Sequence, residues 1–97
     1  MAPEQRTRQQ ELAAKRAALL DTVEDAEREW DEARDWLFDA RGTRGEGNAQ
    51  GEAARAESAY NAANDALTDW EASAEGEEWK RLEQMEQRER RAGGPAR

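Results

Sequence analysis

The sequence contains no cysteine, no histidine and no isoleucine, and only two prolines, one tyrosine and one phenylalanine. Without cysteine no disulfide can staple the chain, and redox compartment cannot be read from thiols. Without either Cys or His, thiol nucleophiles, imidazole bases, catalytic triads, thiolate zinc sites and the usual di-iron motif are excluded. Leu, Val and Phe together number eight in 97 residues. That share, with a net charge of −8, is a composition usually associated with disorder. No stretch approaches the roughly 20 apolar residues of a membrane span. The start, Met1 to Gln5, lacks the apolar core of a signal peptide, so the expected location is the cytoplasm.

Twenty alanines and four tryptophans change the reading. Alanine is the best helix former, and Glu, Arg and Gln follow closely. Apolar residues recur at Leu19, Val23, Ala26, Trp30, Ala33, Leu37 and Ala40, in alternating steps of four and three. A second stripe holds Ala53, Ala56, Tyr60, Ala63, Leu67, Trp70 and Ala74. Each stripe is a seam along one helix face. Folding the chain about the glycine-rich stretch between them pairs Trp30 with Ala63 and Ala33 with Tyr60, mostly large against small. The fold class expected is all-α: an antiparallel helical hairpin that forms part of a helical bundle. Its core is thin, and a domain of this size often needs a staple or a partner.

The chain is read as one domain over residues 1–92, followed by a frayed tail at 93–97. Helix 1 spans about 3–41, beginning at Pro3, whose missing N–H is unneeded there, and ending where Gly42 takes a left-handed conformation. The turn is 42–48, and Asn48 caps helix 2, which runs over about 49–92 with a break or kink near Gly76. Beyond Gly76 the apolar residues leave the seam. A phase shift there would turn Trp79 and Leu82 toward Leu12, Ala13 and Ala17. A third helix over Glu77 to Arg91 is the alternative.

Charge is banded. Residues 21–39 and 51–79 each sum to −7, while the two ends are mildly basic. The carboxylates, among them Asp21, Glu24, Asp25, Glu29, Asp31, Glu32 and Asp35, read as a solvated helix face, because a catalytic pair needs a sheltered cleft. Calcium-loop spacing is absent. The loop has no Gly-Lys-Ser/Thr to cradle phosphate. The chain is therefore read as a non-enzyme with no catalytic residues, no metal and no cofactor. Net negative charge disfavours direct nucleic-acid binding, and the basic end, interrupted by Glu83, Glu86 and Glu89, disfavours a membrane surface. The excess of Arg (13) over Lys (2) fits a GC-rich bacterial or phage genome.

Aromatics off the seam point to a partner. Trp36 lies on the flank of helix 1 and Phe38 on its outer face; Trp79 and Leu82 lie off the seam of helix 2. Ala59, Ala62 and Ala66 line a flank where a further helix approaches closely. These seven residues are the partner-binding candidates. The function expected is a small acidic protein-interaction module with a structural, adaptor or assembly role. Its partner is a protein or a second copy, and the simplest assembly is a homodimeric four-helix bundle. The alternative is an acidic nucleic-acid mimic, such as a phage anti-defence protein, that occupies the basic groove of a nucleic-acid-binding protein. The chain is similar in length, acidity and hairpin form to the small secreted Trp-x-Gly hairpins. It lacks their turn motif, having Arg41-Gly42-Thr43-Arg44-Gly45 instead, and Asn64 stands where an acid would follow Tyr60.

Overall fold

The computed structural model describes residues 1–93. Three helices account for nearly all of them: α1 (Pro3–Ala40), α2 (Glu46–Ala72) and α3 (Ala74–Gly93). The described residues hold no strand, and the fold is all-α. The tail beyond Gly93 lies outside the described residues, and Gly93 itself closes α3. The chain divides into two compact units, residues 19–67 and residues 1–18 with the chain from 68 onward.

The first unit, residues 19–67, is a helical hairpin closed by a tight turn. Gly42 adopts φ +75°, the left-handed stop expected at the end of α1. The Thr43 N–H donates to the Ala40 carbonyl at 3.0 Å, and the Thr43 hydroxyl donates to the same oxygen. That hydroxyl also accepts from the Gly45 N–H, and the Glu46 carboxylate accepts from the Gly42 N–H. These bonds start α2 at Glu46, earlier than the Asn48 cap expected. Trp30 stacks on Tyr60, with ring centroids 5.2 Å apart, one helical turn from the Ala63 it was expected to face. The core of this unit is alanine: Ala26, Ala40, Ala49 and Ala63 are buried. Small side chains let the two backbones approach closely.

The second unit is built from the start of α1, the end of α2 and α3. Its buried apolar side chains are Leu12 and Leu82. Gln9, also buried, donates to Glu83 at 2.9 Å and to Glu86. Arg8 forms a two-pronged bond to Glu78 at 3.0 and 3.1 Å, Lys15 pairs with Glu75, and Arg16 lies 3.6 Å from Glu71. As the number rises along α1 it falls along α3, so these helices are antiparallel.

The break in helix 2 falls at Ser73, three residues before Gly76. The Ser73 hydroxyl accepts from the Gly76 N–H at 3.2 Å, which makes Ser73 the N-cap of α3. Glu75 and Glu77 follow in the first turn, where carboxylates suit the positive end. Lys80 donates to the Glu71 carbonyl at 3.1 Å and satisfies the end of α2. The corner resets the phase of the apolar residues. Every position of the second stripe from Ala53 to Trp70 is at least half-buried, and Ala74, past the corner, is exposed.

Candidate functional site

The residues beside each seam build the site in the unit formed by residues 19–67. On α1, Glu29, Glu32 and Trp36 follow one another by three and four residues, which places them in one row. On α2, Glu52, Arg55 and Ala59 form a matching row, and Ala62 and Ala66 continue it with the same spacing. The two rows flank an open groove of about 520 Å³. Ala33 and Ala56 are its floor, Trp36 and Ala59 its walls, and the charged residues its rim. Trp36 remains 44% exposed, and Ala59, Ala62 and Ala66 are all exposed.

The other candidates lie elsewhere. Phe38 is 68% exposed, but two residues from Trp36 is about 200° around a helix. It sits on another face, under the Arg41 guanidinium at 5.5 Å. Trp79 and Leu82 are occupied within the other unit. Leu82 is buried beside the ion pairs of α1 and α3. Trp79 is half-buried against Trp70 at 6.2 Å, with the Arg16 guanidinium 4.9 Å from its ring centre. Its indole N–H is buried with no hydrogen-bond partner. The structure thus brings Trp36 and Ala59 together, in a row that Ala62 and Ala66 extend, and separates the remaining three. Sequence reasoning missed Glu29, Glu32, Ala33 and Ala56 as parts of one groove. The signal available was the second 3–4 row beside each seam.

Charge divides unevenly. Residues 19–67 carry thirteen carboxylates and five cations, whereas the rest of the chain carries ten of each. Within 19–67, Arg28, Arg34 and Arg55 pair with carboxylates three residues earlier on their own helices. Among the described residues, every ion pair that joins two helices belongs to the other unit. The perturbed acidities also lie there. Arg8, chiefly through its hydrogen bond, holds the Glu78 carboxyl below the usual range, and Lys15 does the same to Glu75. Glu78 in turn raises Arg8. These shifts record a structural ion-pair network. Among the described residues no three carboxylates converge to hold a metal ion. No helix of the described chain is long and apolar enough to cross a membrane.

No family model, no curated protein and no solved structure matches the chain.

Proposed function

We propose that the chain is a non-enzymatic protein-interaction module and that the groove beside Trp36 seats a helix. The observation that carries this reading is a half-exposed tryptophan beside a strip of small residues. Covering the exposed part of Trp36, roughly 100 Å² of a tryptophan's area, is worth about 2–3 kcal/mol. The alanines opposite it allow a visiting backbone to come close. A third helix laid there resembles the packing of a helical bundle, whether a second copy or another protein supplies it.

Light scattering on a size-exclusion column, across a hundredfold dilution, tests the reading. A dimer that Trp36→Ala converts to monomer supports self-assembly through the groove. If the wild type is a monomer, capture from a bacterial lysate by the wild-type chain but not by Trp36→Ala supports a foreign partner. Identical capture by both, from a monomer, overturns the groove as the site.

The placement of the whole net charge on residues 19–67 favours a second reading, an acidic mimic of nucleic acid. A mimic binds through rows of carboxylates, so its affinity falls with salt and is indifferent to Trp36→Ala. The same variant therefore separates the two readings.

A further inference from the structure

We infer that the occupant of the groove is an amphipathic helix of another protein, with alanine or leucine along its seam and lysine or arginine on its flanks. This rests on the docking reading above and adds the chemistry of the partner.

The rim decides the sign. Glu29 and Glu32 edge the groove on α1, and among the described residues neither has an ion-pair partner. Glu52 edges it on α2 and pairs with Arg55, the only cation among the described residues that line the groove. The surrounding residues 19–67 hold the full −8. A second copy seated groove to groove would bring the same acidic rim against itself, because a two-fold contact joins identical patches. Like charges so placed oppose association, whereas a cationic flank is drawn in.

The floor decides the shape. Ala33 and Ala56 keep the floor low, so a helix with small or medium side chains along its seam brings its backbone close to both rows. Trp36 offers a ring face along which the methylene stem of a lysine or arginine lies while its head reaches Glu29 or Glu32. Part of the affinity is therefore apolar and survives salt.

The test uses three fluorescein-labelled 18-residue peptides and the full chain, read by anisotropy at 50 and 500 mM salt. The first has an alanine and leucine seam with lysine flanks. The second keeps the seam and carries glutamate flanks. The third has the residues of the first in shuffled order. The lysine helix should bind at least tenfold more tightly than either of the others. Trp36→Ala and Ala59→Gln, neither of which changes the charge, should each weaken it at least tenfold. Circular dichroism and the thermal midpoint of each variant confirm that the hairpin is intact. Equal binding of the lysine and glutamate helices overturns the inference but leaves the groove as a docking site. Equal binding of the ordered and shuffled lysine peptides, insensitive to both variants, overturns the groove itself. No binding of the lysine helix up to millimolar concentration also overturns the inference. In that case a dimer sensitive to Trp36→Ala keeps the module reading standing.

Discussion

Gly76 packs directly on the backbone of Trp70. A methyl group built on Gly76 would overlap the Trp70 carbonyl oxygen and stand 2.5 Å from that of Glu71. The chain turns from α2 into α3 through the single residue Ser73, and at Gly76, which packs against that corner, only a residue without a side chain fits. Gly76→Ala therefore has to push the two helix ends apart. It should cost about 1–3 kcal/mol, although alanine is otherwise the better helix former. Thermal unfolding followed by circular dichroism should show a midpoint lower by roughly 4–8 °C per kcal/mol. An unchanged or raised midpoint would show that the corner has slack.

Ser73 makes the second prediction. Its hydroxyl caps α3 by accepting from the Gly76 N–H. Ser73→Ala removes that acceptor and should lower stability by about 0.5–2 kcal/mol in urea unfolding. Ser73→Gly should cost less than Ser73→Ala. Unchanged stability in Ser73→Ala would mean that the hydroxyl is not the cap.

Acid should loosen the ion-paired unit. Glu75 and Glu78 titrate below their ordinary value of 4.5 in the folded chain, because Lys15 and Arg8 favour their charged forms. Their contribution is fully present above the unfolded value and is lost as pH falls through the lower folded one. Glu78→Gln should flatten the fall in stability below about pH 4.5 while leaving the helix content at pH 7 unchanged. A variant with the same acid limb as the wild type would remove the Arg8 pair from the explanation.

Trp30 and Tyr60 should be coupled. Their rings are stacked at 5.2 Å and 30° across the hairpin. A double-mutant cycle with Trp30→Ala and Tyr60→Ala should return about 0.5–1.5 kcal/mol of interaction. If the register placed Trp30 on Ala63 instead, the cycle would return nothing.

Phe38 should be dispensable to the fold. It is 68% exposed and faces away from the groove. Phe38→Ala should change stability by no more than about 0.5 kcal/mol. A larger loss would place Phe38 in a contact that the single chain does not contain.

Much of the fold was legible from residue order. Helical spacing marked Ala26, Ala40 and Ala63 as inward, and each is buried. The stop at Gly42 followed from its lack of a side chain. The corner was harder. Gly76 drew attention as a helix breaker, whereas the break belongs to Ser73, and the glycine is needed for what it touches across the turn. Of the site, Trp36 and Ala59 were visible as residues off the seam. That they face one groove was not, because it depends on how two helices are paired.

Spacing, composition and capping residues determined that this chain is helical, where its apolar stripes run and that the stripes fold onto each other. These are local properties, carried by neighbours three and four positions apart. Only the tertiary structure decided the register. A stripe with 3–4 spacing slipped by one turn still presents apolar residues, so the pattern alone does not choose. In the folded chain the hydrogen bonds of Thr43 and Glu46 close a turn shorter than expected, and Trp30 lies on Tyr60. The same pairing leaves Trp36 half-exposed opposite Ala59, while the Ser73 corner buries Leu82 within the chain.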